Sequence, residues 1–161
     1  MLILNSGGTF NKRYNMLNGK LEVPFDNKAL DAILQSVDCF FDLAGVIYKD
    51  SLEMDINDRK ILANIIKESK DDTFIIVHGT DTMQLSAEFL SEVFEDRKII
   101  LTGAMKPFEI DKIEASLNLG MAIGFAKAVD EYGVYVCMNG YIESWEKIQK
   151  NKELGKFEII I

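Results

Sequence analysis

Histidine, cysteine and proline are scarce in this chain, which has one, two and two of them among its 161 residues. With His78 as the single histidine, histidine-rich metal sites and pairs of histidines for acid–base catalysis are excluded. We therefore expect no metal and no cofactor. Positive charge is also in deficit, because 18 Lys and Arg stand against 26 Asp and Glu, for a net charge of -8. An acidic surface repels phosphate groups, so we expect no nucleic-acid partner and no membrane partner.

Long hydrophobic runs are absent as well. The first four residues are apolar, but they are too few for the core of a signal peptide, and no basic segment precedes them. No run approaches the length of about 20 residues that crosses a bilayer as a helix. Cys39 and Cys137 lie far apart without CxxC spacing, which indicates two reduced core thiols. These absences predict a cytoplasmic protein.

The hydrophobic and charged fractions, 48% and 27%, are ordinary for a globular protein. Short apolar runs alternate with amphipathic helical segments, which is typical of βαβ units. Several runs are continuously apolar, as expected for parallel strands that are covered on both faces. The predicted strands are residues 2–4, 44–48, 74–77, 98–101, 134–138 and 157–161. We predict one α/β domain over residues 1–161, a three-layer sandwich with a mostly parallel sheet.

Four helices are predicted between these strands from apolar residues at helical spacing. Asp26, Asp55 and Thr82 are interpreted as the N-caps of the first three helices, and the fourth begins near Lys112. Residues 11–24 and 140–155 fit no regular element and are predicted to be loops, the first of them mobile. Long ordered loops in a compact domain are often functional, so both are candidates for the site.

Hydroxyls, glycines and carboxylates collect in the turns that follow four of the predicted strands. These turns are residues 6–9, 50–53, 78–82 and 102–106. Parallel strands end at the same edge of a sheet, and open α/β sheets bind ligands in the crevice beyond that edge. The sequence therefore predicts that the four turns form one ligand site.

Thr80 and Asp81 are the most informative residues in these turns, because they precede the predicted cap Thr82 and have no such structural duty of their own. The alternative for Asp81 is a favourable interaction with the helix dipole. Residues 6–9 (Ser-Gly-Gly-Thr), taken alone, favour a simple strand-end turn. Paired glycines would also free an amide for an oxyanion, with the Thr9 hydroxyl beside it.

A threonine hydroxyl needs a base before it can act as a nucleophile. His78 adjoins a strand end and is interpreted as a structural hydrogen bonder rather than as that base. A desolvated lysine can serve instead. The candidates by position are Lys106, Lys147, Lys150 and Lys152, and composition does not choose among them.

Three ordered motifs carry a family resemblance. They are residues 4–9 (Leu-Asn-Ser-Gly-Gly-Thr), residues 77–83 (Val-His-Gly-Thr-Asp-Thr-Met) and residues 101–107 (Leu-Thr-Gly-Ala-Met-Lys-Pro). Together with the helical residues 116–119, they resemble the bacterial-type L-asparaginase family. Its first signature is a strand followed by Thr-Gly-Gly-Thr, its second is matched almost letter for letter, and its third reads Gly-Ala-Met-Arg-Pro. The likeness covers nearly the whole chain and implies the flavodoxin-like fold of the asparaginase N-terminal domain.

The resemblance implies a catalytic role for each matching position. Thr9 would be the nucleophile that attacks the side-chain amide carbon. Thr80, Asp81 and a lysine would form a second cluster, and counting from residues 138–139 assigns the family's lysine to Lys150. Tyr14, in the predicted mobile loop, would resemble the tyrosine that approaches the nucleophile when a lid closes.

The resemblance also implies a substrate site. Amides near Thr9, Thr80 and Ala104 would form the oxyanion environment. Ser51 and Asp81 would hold the α-carboxylate and the α-amino group of the substrate. The implied substrate-binding residues are Gly8, Ser51, Leu52, Gly79, Thr80, Asp81 and Ala104.

The sequence departs from the family at four points. The loop that carries Tyr14 is short, with only four residues between Thr9 and Tyr14. Ser6 replaces the first threonine of the signature, and Leu52 replaces a polar residue such as Gln or Ser, so one substrate contact is lost. The chain ends at Ile161, where family members continue into a smaller second domain that, from a neighbouring subunit, contributes to the amino-group site. The family's usual oligomerisation suggests a homo-oligomer here, a dimer whose pairing would cover the open site.

Two classes of function follow from these observations. The first is an amidohydrolase that converts L-asparagine, or a related small amide, to the acid and ammonia through the Thr9 nucleophile. The alternative is a non-catalytic amino-acid-binding or subunit-type module derived from the same fold, which the expected lack of a second domain and Leu52 favour. A third hypothesis keeps the chemistry and changes the substrate to glutamine, a D-amino acid or a peptide amide.

Overall fold

A computed structural model describes residues 1–37 and 40–160 of the chain. Short 3-10 helices at Thr9–Asn11, Ser51–Glu53 and Trp145–Lys147 connect its longer elements. In chain order these elements are β1 (Leu2–Gly7), β2 (Arg13–Asn15), β3 (Lys20–Glu22), α1 (Lys28–Leu34), β4 (Asp42–Lys49), α2 (Ile56–Glu68), β5 (Thr73–Val77), α3 (Met83–Val93), β6 (Lys98–Thr102), α4 (Lys112–Ala128), β7 (Gly133–Met138), β8 (Tyr141–Ser144), β9 (Ile148–Asn151) and β10 (Lys156–Ile159).

Six strands form the main sheet, in the order β4-β1-β5-β6-β7-β8. The first five run parallel to one another, and β8 pairs antiparallel with β7 at one edge. Numbered along the chain, the parallel strands lie in the order 2-1-3-4-5, which is the flavodoxin-like arrangement. The predicted mostly parallel α/β fold is confirmed.

Helices cover both faces of this sheet. Phe74 and Ile76 of β5 belong to the core on the side of α2 and α3, whereas Ile75 and Val77 belong to the core on the side of α1 and α4. Successive side chains of a strand point to opposite faces, so a central strand between two helical layers needs an apolar residue at every position. This requirement accounts for the continuous apolar run that the sequence shows in β5.

Residues 11–24 contain regular structure and not the loop that the sequence predicts. Their strands β2 and β3 form an antiparallel hairpin. Glu22 accepts hydrogen bonds from the side-chain amides of Asn15 and Asn18 at 2.9 and 2.5 Å. Because polar side chains hold this hairpin, its strands lack the alternation of apolar residues by which a strand is recognised in a sequence.

Residues 140–155 also form regular structure where a loop is expected, since they include β8 and β9. The predicted strand 157–161 corresponds to β10, but it lies outside the main sheet and pairs antiparallel with β9. Phe157 is buried in the core on the side of α2 and α3. The apolar character of this segment therefore reflects packing against the domain and not a place in the parallel sheet.

Two of the predicted helix caps differ in outcome. Asp55 caps α2, because its carboxylate accepts hydrogen bonds from the amides of Asn57 and Asp58 in a capping box. Asp26 does not cap α1, whose N-cap is Asn27. The Asp26 carboxylate binds the two terminal nitrogens of Arg13 at 2.8 and 2.6 Å, and this pairing lowers the pKa of Asp26 to about 2.

The two predicted core thiols are described unequally. Cys137 in β7 is buried and free, and burial raises the pKa of its thiol to about 12. Cys39 lies outside the described residues. Within residues 1–37 and 40–160, none of the helices is long and apolar enough to traverse a lipid bilayer.

Candidate active site

The site lies where the strand order reverses, between β1 and β5. β4 lies on one side of β1, and β6 lies on the far side of β5, so the chain builds the sheet outward in both directions from this pair. The crevice at the carboxyl ends of such a pair is the usual ligand site of open α/β sheets. The turn after β1 carries Thr9, and the turn after β5 carries Thr80 and Asp81.

The two turns touch at a pair of glycines. Gly8 has a φ of 77°, in the left-handed region, and a Cβ at this position would lie 2.4 Å from the amide nitrogen of Gly79. A Cβ on Gly79 would in turn lie 2.6 Å from the Cβ of Ser51. Side chains at either glycine would force the backbones apart. The turns after β1, β4 and β5 therefore converge, as the sequence predicts, and Gly8, Gly79 and Ser51 mark their contact.

Lys150 joins the turn after β5 from a distant segment. Its Nζ lies 2.9 Å from the Thr80 hydroxyl and 2.8 Å from a carboxylate oxygen of Asp81. The Lys150 side chain is 13% exposed and that of Asp81 is 36% exposed, so the cluster faces the surface on its Asp81 side. Among the four candidate lysines, Lys106 instead pairs with Asp111 at 3.1 Å. The structure thus brings Thr80, Asp81 and Lys150 together.

Thr9 begins a helical turn that is anchored from below. Phe10 and Asn11 are buried, and the Asn11 side-chain amide donates to the Gly7 carbonyl at 2.7 Å and to the Asn5 side chain at 2.9 Å. The Thr9 side chain itself is half-buried, and its hydroxyl forms no hydrogen bond within the described chain. A hydroxyl presented in this way, at the tip of a rigid turn, is available to a ligand.

Several backbone amides close to the crevice have no hydrogen-bond partner within residues 1–37 and 40–160. Among them are those of Thr9, Thr80 and Ala104. Ala104 is fully buried, and the turn before it is held by Asn118 of α4, whose side chain donates to the Gly103 carbonyl at 2.9 Å. Amides left free in this way suit an oxyanion. The sequence includes Asn118 in the family resemblance but assigns it no role, although an asparagine among the apolar residues of a helix is a detectable signal.

Ser51 is engaged inside the protein and is 1% exposed. Its hydroxyl oxygen accepts hydrogen bonds from the amides of Asp81 and Thr82 at 3.2 and 3.4 Å, while the Thr82 hydroxyl donates to the Ser51 carbonyl at 2.8 Å. Thr82 is the N-cap residue of α3, as predicted, but its side chain makes no capping hydrogen bond. Leu52 next to it is 71% exposed. A substrate contact by Ser51 or Leu52 stays a prediction.

Tyr14 is not brought to the crevice. It lies in β2, its backbone amide donates to Glu109 at 2.8 Å, and its side chain is 57% exposed. A Cβ on Gly19 would lie 3.7 Å from the Tyr14 hydroxyl, so this group points toward the tip of the hairpin. Tyr14 also lines a surface cavity of about 580 Å³ along the hairpin, together with Leu17 and Phe25. Its role as a lid tyrosine stays a prediction.

His78 is completely buried beneath the turn after β5 and acts as a hydrogen bonder, as expected. Its Nδ1 lies 2.7 Å from the Gly79 carbonyl oxygen and its Nε2 lies 2.8 Å from the Ser86 hydroxyl. Burial lowers the pKa of His78 to about 4, against the raising effect of the Gly79 carbonyl and with a further lowering by the charge of Arg59. The ring is therefore neutral near pH 7.

The buried neutral ring predicts a pH dependence of stability. The pKa of His78 is about 4 in the folded chain and 6.5 ordinarily, so the unfolded chain binds the proton more readily between these values. The stabilisation is fully present above pH 6.5 and is lost as the pH falls toward 4. We expect the loss to be roughly 3 kcal/mol in the free energy of unfolding, measured by urea denaturation. The His78→Asn variant should lack this component, and the same pH dependence in both proteins would contradict the assignment.

The polar groups of the crevice include hydroxyls, backbone amides, the Lys150 ammonium and the Asp81 carboxylate. These are the groups of an acyl-transfer site. Among the described side chains, no group of three or more His, Cys, Asp or Glu residues is arranged to hold a metal ion.

Comparison with known proteins gives a consistent result. A family model described as "Asparaginase, N-terminal" matches residues 1–155. A glutaminase-asparaginase from Acinetobacter glutaminasificans is 30% identical over 133 residues, which are 75% of this chain and 40% of the relative. A component of the glutamyl-tRNA(Gln) amidotransferase from Methanococcus maripaludis is 32% identical over 149 residues, which are 86% of this chain and 34% of the relative.

A solved structure agrees in fold. The thermostable L-asparaginase from Thermococcus kodakarensis matches with a TM-score of 0.85 at 23% identity, over 99% of this chain and 50% of that one. The chain thus spans between 34% and 50% of the length of these relatives.

Proposed function

Because the chain belongs to the asparaginase family, we propose that it is an amidohydrolase that releases ammonia from L-asparagine or a closely related small amide. The observation that carries this proposal is the contact of Lys150 with Thr80 and Asp81, at 2.9 and 2.8 Å. These partners are about 70 residues apart in the sequence. A hydroxyl that is hydrogen-bonded to an ammonium–carboxylate pair, with free backbone amides nearby, provides the groups that acyl transfer requires.

In the first half of the proposed reaction, the Thr9 oxygen attacks the carbon of the side-chain amide. The carbonyl oxygen becomes an oxyanion, which the unpaired amides of Thr80 and Ala104 would stabilise. The proton of the Thr9 hydroxyl is transferred to the amide nitrogen. The carbon–nitrogen bond then breaks, ammonia leaves, and the acyl group remains on Thr9 as an ester.

In the second half, a water molecule attacks the carbonyl carbon of this ester. The cluster of Thr80, Lys150 and Asp81 would orient the water and relay its proton to the departing Thr9 oxygen. The carbon–oxygen bond to Thr9 breaks, the acid is released, and the Thr9 hydroxyl is restored. Overall one amide and one water yield one acid and one ammonia.

An ammonia-release screen tests the proposal and its substrate. L-asparagine, L-glutamine and their D-forms are compared with the purified chain, and we expect the highest kcat/KM for L-asparagine. The Thr9→Ala protein, prepared in parallel, reports contamination by amidases of the expression host. If all four amides release ammonia at the rate of the Thr9→Ala control, the proposed activity is wrong.

The alternative function is a binding or subunit-type module. Two observations favour it: the exposure of Leu52 and Asp81, since an open site loses the low dielectric that strengthens oxyanion stabilisation, and a relative that is named as part of an amidotransferase. Thermal shift and calorimetric titration with L-aspartate, paired with the ammonia assay, separate the two functions. Binding without turnover favours the module.

We further propose that residues 1–161 act as one domain and that two copies pair to cover the crevice. The pairing is supported by the exposure of Leu52, because a second copy that covered this residue would shield the site from water. Light scattering at several concentrations measures the assembly. A monomer that remains fully active would contradict the pairing.

A further inference from the structure

A buried chain of hydrogen bonds runs from α2 through α3 to the turn that carries Thr80. Arg59 of α2 donates from Nε to the Ser86 hydroxyl at 3.1 Å, and this hydroxyl lies 2.8 Å from Nε2 of His78. Nδ1 of His78 lies 2.7 Å from the Gly79 carbonyl oxygen. Arg59, Ser86 and His78 are all at least nine-tenths buried. The proposed reaction gives none of these three side chains a role.

We call this chain of hydrogen bonds, which runs through Arg59, Ser86 and His78 to the Gly79 carbonyl, the relay. For a neutral His78 ring, the Gly79 carbonyl fixes the direction of each of its hydrogen bonds. A guanidinium only donates and a carbonyl oxygen only accepts. Nδ1 of His78 must therefore carry the proton that it donates to Gly79, which leaves Nε2 of the neutral ring as an acceptor. Ser86 donates its single proton to Nε2, and its oxygen accepts from Arg59. The Gly79 carbonyl thus selects the Nδ1–H tautomer of the neutral His78 ring, and the donation from Arg59 to the Ser86 oxygen is compatible with it.

Arg59 also acts on His78 through its charge. It is 8% exposed, and its Nη2 has no hydrogen-bond partner within residues 1–37 and 40–160. In the same part of the chain no carboxylate lies within ion-pairing distance of this guanidinium. An uncompensated buried cation disfavours a second positive charge nearby. Together with the burial of the ring, it keeps His78 in the neutral form that the relay requires.

The relay ends on a peptide group of the candidate site. A trans peptide is planar, so its carbonyl and its N–H point in opposite directions. When the ring of His78 holds the Gly79 carbonyl, the N–H of Thr80 is directed away from the buried ring. Gly79 is confined between Gly8 and Ser51. If the hydrogen bond to His78 is lost, the Gly79–Thr80 peptide can therefore rotate only if the whole turn moves.

We propose that Arg59, Ser86 and His78 are positioning residues that aim the Thr80 amide at the oxyanion formed during amide hydrolysis. The inference rests on the proposed function for its chemical consequence, and on the hydrogen bonds, burial and charge around the ring for the state of His78. None of the three residues touches the substrate. Each acts through the Gly79–Thr80 peptide.

The tautomer is tested first, by a measurement that needs no activity. His78 is the single histidine of the chain, so the long-range ¹H–¹⁵N NMR spectrum of the labelled protein reports its ring without ambiguity. At pH 7 we expect a protonated Nδ1 and an unprotonated Nε2. Observation of the Nε2–H tautomer, or of a ring protonated on both nitrogens, overturns the relay.

The catalytic consequence is tested by two pairs of variants. Asn at position 78 presents an amide near the place of Nδ1, and Gln presents one near the place of Nε2. We therefore expect His78→Gln to lower kcat for ammonia release roughly 10²-fold, the effect of losing one oxyanion donor, and His78→Asn to lower it less. KM should stay within about two-fold, because the oxyanion forms only after binding. Equal losses in the two variants, or a change confined to KM, overturn the positioning role.

Ser86 provides the second pair, matched within one helix. Ser86→Ala removes the donor to Nε2, and we expect it to lower kcat by roughly ten-fold and to weaken the preference for the Nδ1–H tautomer. Ser91→Ala removes an exposed hydroxyl of α3 that bonds only within the helix, and both readouts should stay unchanged. Circular dichroism checks that each variant is folded. An unchanged kcat in folded Ser86→Ala contradicts the inference.

Failure of the proposed function has a different signature. If the wild-type chain releases no ammonia, the proposed function is wrong. Two NMR measurements then still decide whether the relay fixes the Gly79–Thr80 peptide: the tautomer of His78, and the shift of the Thr80 amide resonance in Ser86→Ala. If the wild type is active and the relay variants keep its kcat, the relay inference alone is wrong.

Discussion

Replacement of Thr9 by alanine is expected to lower the release of ammonia from L-asparagine by about 10⁴-fold or more, the scale of losing a nucleophile from a site whose groups act together. The Thr9 hydroxyl makes no hydrogen bond in the described chain, while the carbonyl of Thr9 holds the turn by accepting from the Lys12 amide at 3.1 Å. Alanine keeps that backbone contact. The variant should therefore unfold at the same temperature as the wild type while its kcat is lost.

Serine at position 9 is the matched control for this experiment. Thr9→Ser keeps the hydroxyl and removes only a methyl group, so it should retain a measurable fraction of the wild-type kcat. L-aspartate binding, followed by calorimetry, should persist in Thr9→Ala because the free amides and the Lys150 cluster remain. Turnover by Thr9→Ala at the wild-type rate would eliminate Thr9 as the nucleophile.

Replacement of Lys150 by methionine is expected to lower kcat roughly 10³-fold, within the range of positioned proton-transfer groups. Methionine keeps most of the length of the side chain but removes the contacts to the Thr80 hydroxyl and the Asp81 carboxylate. Lys152→Met is its matched control, because Lys152 is exposed and lies two residues further along the same segment. Steady-state kinetics of the two variants give the comparison. Equal kcat values would remove Lys150 from the reaction.

The central fold was accessible from the sequence because one physical rule dominates it. Strands buried on both faces must be apolar throughout, and β5 displays this pattern without interruption. The two small hairpins obey a different rule. Glu22 in β3 is held by hydrogen bonds from polar side chains, so the sequence of β3 shows no apolar alternation. Phe157 in β10 is apolar because it packs against the domain. Neither sequence pattern therefore reveals which strand its segment pairs with.

The candidate site was accessible in part for a similar reason. Thr80 and Asp81 are neighbours in the sequence, and their place after a strand directs them to the crevice. Lys150 comes from β9, and only the family resemblance selected it from four lysines. Arg59 and Ser86 escaped notice because a polar residue inside an amphipathic helix is ordinarily assigned to the solvent face. Both are buried here, a property that depends on how α2 packs against α3.

The contact between Gly8 and Gly79 has a consequence for protein engineering. A Cβ on Gly8 would collide with the backbone of Gly79, and a Cβ on Gly79 would collide with Ser51, so neither glycine can accept a side chain without displacing a neighbouring turn. A mutant library should therefore hold both glycines constant and vary the exposed rim, where the Leu52 side chain is 71% exposed. Substitutions at the rim can then change what the crevice binds, while the contact between the two glycines preserves the relative position of the turns that carry Thr9 and Thr80.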